Sequence, residues 1–512
     1  MTGPRRGPGG PALLFGIALA LFGLTAVLLG SRGRPGSIKA GANSFLDPRP
    51  GIEAHNSPAV AADPSRPAVL AVADRIDTPQ FSCSLSRSDD GGSSWRQVEF
   101  DLPPQAPNCF WPDVGFDDKG ELLVLFTSTG GRFNLPVSVW LQRFVADAPA
   151  GPATQVTGPL GFHSTLAVDG PRVAVAWLRA GPTTVDKPVG FAPPHALVVV
   201  RSEDGGRTFA SPVAVSEVDR LVALPTVLIT GREVVVGALD LGDDRLDYEA
   251  LHDSQSGPPH EGRWRVVTWT SNDGGITFGP TATVADDLVI PQRIIVNLGP
   301  RPGFARDPRS GRLYATWDAG RDDDRDVFLS WSDDGGTAWA PAVSILPRVG
   351  TQTLPAVSVS PGGRVDVVFY DRGREPEDVL AEVVLASSWD GGRSFRASTL
   401  SDRSFDSGIG FGSAQGIPVI ASQMAALSEQ GRAVVFWTDT RKGTVDTNRQ
   451  DIAVAAAAVE APEPTVWALV VLGAVLCVAG ALLALGGAGR PAGKVGDSRE
   501  RSPSPSGNIR GV

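Results

Sequence analysis

Cysteine and positive charge are both scarce in this sequence. Only three of its 512 residues are cysteine, and none of them has the C-x₂-C spacing of a zinc site. The terminal segments 1–40 and 464–512 carry net charges of +5 and +3, which leaves −18 on residues 41–463 of a chain whose total is −10. Such a charge repels phosphate backbones, so the sequence argues against nucleic-acid binding by its middle region.

Signature loops for nucleotide or serine-hydrolase chemistry are also absent, because no glycine-rich phosphate loop or nucleophile elbow joins a strand to a helix. The 60 glycines and 43 prolines make up about a fifth of the chain, which demands many turns but stays below the roughly 25–30 % typical of low-complexity disorder. The 12 tryptophans and 21 phenylalanines can fill a packed core. This composition disfavours long helices, coiled coil and collagen, and it predicts a turn-rich all-β protein.

Two long uncharged runs flank the middle region, at residues 11–30 and 465–489. As a helix, each run is long enough to cross about 30 Å of hydrocarbon. Arg5 and Arg6 precede the first run and five basic residues follow the second, so the positive-inside rule places both termini in the cytoplasm. A cleavable signal peptide is the alternative for the first run, and a buried core helix for the second. We therefore expect a cell-membrane protein whose middle region is extracytoplasmic.

These features divide the chain into segments. We expect a basic cytoplasmic segment at 1–10, a transmembrane helix or signal anchor at 11–30, a linker with a possible closing strand at 31–50, a folded region at 51–460, a transmembrane helix at 465–489 and a disordered cytoplasmic tail at 490–512. Cys477 lies within the second apolar run, which leaves Cys83 and Cys109 as a pair. In an oxidising compartment these two can form a disulfide, and two separately buried thiols are the alternative.

One turn signature of the form Ser-x-Asp-x-Gly-x-x-aromatic recurs along the middle region. Its Asp and Ser side chains can bond turn amides, its glycines supply positive φ, and its aromatic residue can cover the neighbouring sheet. The copies are Ser88/Asp90/Gly92/Trp95, Ser202/Asp204/Gly206/Phe209, Ser271/Asp273/Gly275/Phe278, Ser332/Asp334/Gly336/Trp339 and Ser388/Asp390/Gly392/Phe395. The first interval is about twice the others, and residues 137–144 fit the strand of a unit that has lost its signature.

A second repeat lies between these turns. It consists of a short strand, a turn and a second strand that ends in an aromatic residue. With its weaker versions it gives seven units, which is typical of the blades of a β-propeller. Residues 37–46 could supply the outer strand of the last blade and so close the ring. Six blades are the alternative if the last unit is only a closure, and a β-sandwich pair or a solenoid is disfavoured. The clearest copies are residues 172–177, 312–317, 364–369 and 432–437.

The repeated turn is the Asp-box, or bacterial neuraminidase repeat, and the region 50–460 resembles the sialidase-like propellers that carry it. In those enzymes an arginine cluster holds the substrate carboxylate, an aspartate is the acid/base, and a tyrosine paired with a glutamate is the nucleophile. The opening Arg-Ile-Pro motif of the family aligns with this sequence in part. Asn56 replaces its first arginine, Ser57-Pro58 keeps the proline, and Arg75 matches the second arginine. Asp77 is the sole carboxylate in the short loop 76–81 that follows.

The resemblance implies a set of candidate catalytic residues on the face opposite the Asp-boxes. Arg75, Arg321 and Arg372 would form the clamp, with Asp77 as acid/base and Tyr370 as nucleophile. For Tyr370, packing between blades is the alternative. Tyr314 lies within a strand, and Tyr248 lies next to Glu249 in the insertion 241–262, where covering the funnel is the alternative role. The Asp-box aspartates, Asp90, Asp204, Asp273, Asp334 and Asp390, are expected to be structural.

Cofactors are not expected. Asp318, Asp322, Asp323, Asp324 and Asp326 could suit Ca²⁺, but Arg321 and Arg325 within that run favour a salt-bridged loop. His252 and His260 have no zinc spacing.

Two functions therefore compete. The favoured one is a binding or scaffold module whose loops between second and third strands recognise a glycan or another envelope protein, with neutral or cationic ligands preferred by the acidic surface. The alternative is an exo-sialidase-type glycoside hydrolase that removes terminal sialic-acid-like sugars, which requires its arginines to converge on one ligand.

Overall fold

The protein is described here by a computed structural model. It describes residues 10–30, 35–47, 51–130, 135–158, 161–180, 195–218, 220–242, 263–289, 301–321, 324–373, 379–410, 420–463 and 467–488. The chain divides into two compact units, Gly36–Ala461 and a second unit made of its two terminal segments.

The first unit consists of seven antiparallel sheets, and this confirms the predicted all-β propeller of seven blades. We number the blades I to VII in chain order of their first strands. Blade I contains β3 (His55–Asp63), β4 (Arg66–Ile76), β5 (Ser82–Ser88) and β6 (Arg96–Gln97). Blade II contains β7 (Phe110–Phe116), β8 (Leu122–Gly130), β9 (Leu135–Val145) and β10 (Ala148–Pro149), with β11 (Thr154–Thr157) also paired to β9. Blade III contains β12 (Gly161–Asp169), β13 (Arg172–Ala180), β14 (His195–Ser202) and β15 (Val213–Ala214).

The remaining blades follow the same order from the inner strand outward. Blade IV contains β16 (Leu221–Thr230), β17 (Glu233–Gly242), β18 (Trp264–Ser271) and β19 (Ala282–Leu288). Blade V contains β20 (Gly303–Arg306), β21 (Leu313–Arg321), β22 (Asp324–Ser332) and β23 (Val343–Ser344). Blade VI contains β24 (Gln352–Val359), β25 (Val365–Asp371), β26 (Leu380–Ser388) and β27 (Arg396–Thr399), with β28 (Phe405–Asp406) also paired to β26. Blade VII contains β29 (Ala425–Glu429), β30 (Arg432–Asp439) and β31 (Asp451–Glu460), completed by β1 (Ser37–Ala40) and β2 (Ser44–Phe45).

Blade VII closes the ring by pairing the two ends of the propeller. Strand β1 runs antiparallel to β31, with Ser37 opposite Glu460 and Ala40 opposite Ala457. Strand β2 continues along the same edge, with Ser44 opposite Val454. The predicted closing strand at 37–46 is thus confirmed. The six-blade alternative was wrong, because the last unit is a full sheet rather than a closure alone.

Each Asp-box is the turn between the third and fourth strands of its blade, as predicted. In blade IV, the Ser271 hydroxyl donates to Asp273 Oδ1 at 2.7 Å and accepts the Gly275 N–H at 2.8 Å. The same Asp273 oxygen accepts the N–H groups of Ile276 and Thr277 at 2.9 and 3.0 Å. Gly275 has a φ of +82°, a value that L side chains rarely adopt. The turn is therefore held mainly by its own carboxylate, hydroxyl and glycine, and Arg201 of blade III also donates to the Gly275 carbonyl at 3.5 Å.

The aromatic residue of the Asp-box joins adjacent blades. Trp95 of blade I packs edge-to-face on Phe436 of blade VII, with ring centroids 5.5 Å apart. Trp339 of blade V donates its indole N–H to Thr268 of blade IV at 3.1 Å. Blade II lacks the box, but β9 occupies the third-strand position that was predicted at 137–144. The inter-blade core thus follows from a residue repeated in the sequence.

The cysteine pair connects blade I to blade II. Cys83 lies in β5 and Cys109 lies just before β7, and their sulfur atoms form a disulfide. Cys109 is buried, so the bond is part of the packed seam between the two blades.

The second unit contains two helices, α1 (Gly10–Gly30) and α2 (Trp467–Ala488), which pack antiparallel. A Cβ atom added at Gly23 would lie 2.5 Å from the carbonyl oxygen of Gly473, and one added at Gly480 would lie 2.5 Å from that of Gly16. Glycine is therefore what permits the close approach of the two backbones.

The prediction of transmembrane helices at 11–30 and 465–489 is not supported. Helices do occupy both runs, but across the part of the chain that the structure describes, no helix combines the length and apolar content needed to cross a membrane. Of the predicted cytoplasmic ends at 1–10 and 490–512, only Gly10 lies within the described residues.

Candidate functional site

Buried aspartates end the second strands on the face that carries the loops between second and third strands, which we call the 2→3 face. Each of them lies beside a cation of its own blade or of the connection leading into it. The pairs are Asp74 with His55, Asp240 with Arg220 and Arg265, Asp318 with Arg325, Asp371 with Arg348, and Asp439 with Arg441. Because a buried carboxylate is costly unless it is paired, each of these five blades neutralises its own strand end. Positive charge on this face is therefore distributed around the ring.

Arg75 and Asp77 are brought together, and they bind each other. Arg75 Nε lies 2.7 Å from Asp77 Oδ1, and Arg75 Nη2 donates to Asp77 Oδ2 at 3.0 Å. Both side chains are buried, at 5 % and 2 % exposure. The guanidinium also lies over the ring of Phe110, 4.7 Å from its centroid. The pair is a close, buried ion pair that contains one charge-assisted hydrogen bond.

Asn56, at the position of the family's first arginine, completes the same network. Its amide donates to Asp77 Oδ2 at 2.8 Å and to Gln450 Oε1 at 3.1 Å, and its own oxygen accepts the Ser57 hydroxyl at 2.8 Å. The Ser57 hydroxyl in turn accepts the backbone N–H of Ser422 at 2.9 Å. Gln450 and Ser422 belong to the blade VII side, so this network joins the two blades at which the ring closes.

Tyr370 lies between blades VI and VII and is buried, with 2 % exposure. Its hydroxyl contacts the backbone of Thr438, and its ring packs edge-to-face on Phe405. Burial raises the pKa of this phenol far above its usual value. Tyr370 and Arg75 therefore lie in different seams of the propeller, with different partners.

The structure gives fewer contacts for the other predicted site residues. The backbone N–H of Arg372 donates to the Thr351 carbonyl at 2.9 Å. Arg321 ends β21, but its side chain lies outside the described residues, as do Tyr248, Glu249, His252 and His260. In the acidic run, Arg325 Nη1 lies 3.1 Å from Asp318 Oδ2, while Asp322 and Asp323 are outside the described residues. The pairing of Asp318 agrees with the salt-bridged alternative, and calcium binding there stays a prediction.

A pocket of about 380 Å³ opens at the junction of blades I and VII, and we call it the seam pocket. Strand β2 leads into it at Asp47, strand β3 begins at His55 on its wall, and strand β31 begins at Asp451. Its lining residues are Asp47, Gly51, Ile52, Glu53, His55, Pro79, Arg449 and Asp451. Arg449 donates to both oxygens of Asp451 at 2.8 and 3.1 Å and to the carbonyl of Gly51 at 2.8 Å.

His55 is the most constrained side chain of the seam pocket. Its Nδ1 lies 2.7 Å from Asp74 Oδ2, and its Nε2 lies 3.4 Å from Glu53 Oε2. Ser84 donates to the other oxygen of Asp74. Burial opposes a charge on the imidazole, but the carboxylates of Asp74 and Glu53 outweigh it and raise the pKa of His55 to about 9. His55 is thus oriented by a buried carboxylate behind it.

Sequence reasoning missed a second cluster, which lies on the inner strands. Trp111 and His163 have positive φ at bulges in β7 and β12, and their rings stack with centroids 4.5 Å apart. Arg301 lies over Trp111 at 5.2 Å, and burial lowers its pKa to about 10 while Asp113 opposes that shift. A signal existed in the sequence, because proline follows the positive-φ residue in four of these inner-strand bulges, at Pro58, Pro112, Pro225 and Pro355.

No protein-family model matches this chain, and no curated protein matches it either. A polysaccharide lyase of family PL25, an ulvan lyase, is 12 % identical over 82 % of this chain and 95 % of its own, with a TM-score of 0.46. A sialidase from Trypanosoma rangeli is 10 % identical over 79 % of this chain and 55 % of its own, with a TM-score of 0.42. A GH93 α-L-arabinofuranosidase from Fusarium graminearum is 12 % identical over 70 % of this chain and 97 % of its own, with a TM-score of 0.41.

These likenesses are too distant to carry an argument about activity. The chain's own features define its fold, because its described residues form seven blades of four or five strands with a closing strand, and its sequence contains five Asp-boxes. The described residues fold as a seven-bladed β-propeller that carries Asp-box turns.

Proposed function

We propose that this sialidase-like propeller is an extracytoplasmic module that binds glycans through its 2→3 face and does not catalyse sialidase chemistry. The observation that carries the proposal is the closed pair of Arg75 and Asp77. A carboxylate clamp requires guanidinium N–H groups directed at the ligand. Here Nη2 of Arg75 donates to Asp77, Nε lies 2.7 Å from the same carboxylate, and Nη1 donates to the Ser422 hydroxyl at 3.5 Å.

The candidate nucleophile supports the same conclusion. A tyrosine nucleophile must present its oxygen to the sugar, whereas the Tyr370 hydroxyl makes two hydrogen bonds to the backbone of Thr438 in a buried seam. The family's first arginine is replaced by Asn56, whose amide is also used within the protein. Tyr370 and Asn56, the residue at the position of the first arginine, are therefore both engaged in holding blades together.

The seam pocket supports binding of a small ligand. Its volume of about 380 Å³ lies within the roughly 300–1,000 Å³ of small-molecule sites. Ile52 and Pro79 offer apolar surface, and Glu53, Asp451 and Arg449 offer hydrogen-bonding groups. Because the propeller region carries a net charge of −18, we infer that neutral or amino sugars are favoured over anionic ones. The Cys83–Cys109 disulfide supports an oxidising, extracytoplasmic compartment.

The proposal is tested with the purified full chain on two assays. We expect no turnover of a fluorogenic sialoside and measurable binding to neutral or amino sugars on an immobilised glycan panel. Ile52 is 60 % exposed in the pocket wall, so Ile52→Arg should weaken glycan binding without unfolding the protein. Val218→Arg is the matched control, because Val218 is 57 % exposed on the connection between blades III and IV.

Sialoside turnover that Tyr370→Phe abolishes would overturn the proposal in favour of the exo-sialidase alternative. If Ile52→Arg and Val218→Arg both bind glycans as well as the wild type does, the seam pocket is excluded as the glycan-binding site. A chain that binds no glycan but retains a purified envelope protein would overturn the glycan assignment in favour of a protein-binding scaffold.

A further inference from the structure

We propose that Asp47, Glu53 and His55 form a binding site for a divalent transition-metal cation of the Zn²⁺ class in the wall of the seam pocket. This inference is independent of whether the pocket binds a sugar. One ligand atom from each of these residues lies within 4.8 Å of the other two. Two ligands of a tetrahedral zinc ion, at about 2.0–2.2 Å from it, are about 3.4 Å apart. His55 Nε2 and Glu53 Oε2 already have this spacing, at 3.4 Å. Asp47 therefore needs to approach them by up to about 1.4 Å.

Each residue can make that small movement or is already in place. Glu53 is half exposed, and it precedes β3 in the linker, so its side chain can turn toward the imidazole. Asp47 follows β2 at the opposite wall of the pocket. His55 is fixed, because it is 7 % exposed and its backbone N–H donates to the Gln450 carbonyl at 2.9 Å.

The orientation of His55 is the second, independent observation. A metal-binding histidine generally gives its other ring nitrogen to a carboxylate, which fixes the tautomer and the ring plane. Asp74 has that role here: it is 1 % exposed, it lies 2.7 Å from His55 Nδ1, and Ser84 holds its other oxygen. Nε2 is consequently the ring nitrogen directed at Glu53 and the pocket. A cation bound at Nε2 replaces the proton there, as metals do on binding to histidine.

The donor set selects the kind of cation. One imidazole and two carboxylates suit zinc and related first-row metals, whereas calcium and magnesium prefer ligand sets made of oxygen alone. Three protein ligands would leave a position open to water or to a hydroxyl group of a ligand in the pocket. Arg449 also faces this space. It is paired with Asp451 at 2.8 Å, and it interacts electrostatically with Asp47 and Glu53, so a bound cation competes with its guanidinium for these two carboxylates.

The experiment measures Zn²⁺ binding to the purified full chain by competition with a chromophoric chelator, and Co²⁺ binding by its visible absorption. We expect one Zn²⁺ per chain, with Ca²⁺ unable to displace it. Glu53→Gln should weaken Zn²⁺ binding at least about 10-fold without affecting the fold, since Glu53 is exposed, and Asp74→Asn should weaken it about 10- to 100-fold through His55. Glu217→Gln, an exposed carboxylate outside the pocket, is the matched control.

Loss of Zn²⁺ and of the Co²⁺ spectrum in Glu53→Gln and His55→Gln, with Glu217→Gln unchanged, would establish the site. The site would be overturned if Glu53→Gln and His55→Gln bind Zn²⁺ as tightly as the control Glu217→Gln does. It would also be overturned if the wild-type chain binds no Zn²⁺. Because His55→Gln could unfold this buried position, Glu53→Gln carries the decision if the two variants disagree. Glycan binding by Ile52→Arg is scored separately, so that failure of the metal site and failure of the proposed function are distinguished.

Discussion

The hydroxyl of Tyr370 donates to the carbonyl oxygen of Thr438 and accepts the N–H of the same residue, each at 3.0 Å. Tyr370 is the penultimate residue of β25 in blade VI, and Thr438 is the penultimate residue of β30 in blade VII. One phenol therefore satisfies both backbone groups of a buried residue on the neighbouring blade. Tyr370 is used in this arrangement as a link between blades.

Tyr370→Phe should lower the free energy of unfolding by about 1–3 kcal/mol, because it leaves the N–H and the carbonyl of Thr438 buried without a partner. Urea denaturation followed by tryptophan fluorescence measures the change. Tyr314→Phe is the control, since the Tyr314 hydroxyl interacts with the Arg312 side chain rather than with buried backbone, and it should cost less. Unaltered stability in Tyr370→Phe would contradict the structural role.

The buried pair of Arg75 and Asp77 leads to a second prediction. Asp77→Ala should destabilise the propeller by about 3–5 kcal/mol, because it leaves a buried guanidinium uncompensated. Arg75→Ala should cost a similar amount, and the double variant should cost clearly less than the sum of the two. A double-mutant cycle in urea measures this coupling. Additive effects of the two substitutions would show that the two side chains do not depend on each other.

The disulfide joins Cys83 to Cys109, which are 26 residues apart in the sequence. A crosslink of this length stabilises a protein by about 3–4 kcal/mol in the chain-entropy model. Cys83→Ala/Cys109→Ala should lose about that much, and a reducing agent should lower the unfolding midpoint of the wild type but not that of the double variant. Cys477→Ala, outside the propeller, should respond to the reducing agent as the wild type does.

The blades could be predicted from the sequence because their signals are local. An Asp-box such as that of Ser271, Asp273 and Gly275 makes its hydrogen bonds within a few residues, so the sequence pattern and the turn geometry coincide. The closing strand could also be predicted, because the last unit needed an outer strand and the segment at 37–46 was available.

The sequence identified candidate residues of the site, but it could not predict which contacts those residues make. Whether Arg75 binds a ligand or Asp77 depends on rotamers and on Asn56, Gln450 and Ser422, which come from distant parts of the chain. The seam pocket is formed by residues from both ends of the propeller, so no local pattern indicates it. The stacking of Trp111 and His163 depends on bulges that shift the strand register, and period-two patterns do not report such shifts.

The Asp-box carboxylates make the stability of the propeller depend on pH in the acidic range. Backbone N–H groups and hydroxyls hold the pKa of Asp90, Asp204 and Asp334 down to about 2, whereas an aspartate in the unfolded chain titrates near 3.9. A folded-state pKa below the unfolded value contributes stability that is present above about pH 4 and is lost as the pH falls toward 2. We therefore expect the urea midpoint to fall steeply over that interval. Asp334→Asn keeps an acceptor but removes the charge, so it should flatten part of this dependence, while Asp101→Asn, an exposed residue outside the turns, should leave the slope as in the wild type. An identical slope in Asp334→Asn and the wild type would show that the turn carboxylates do not contribute to acid sensitivity.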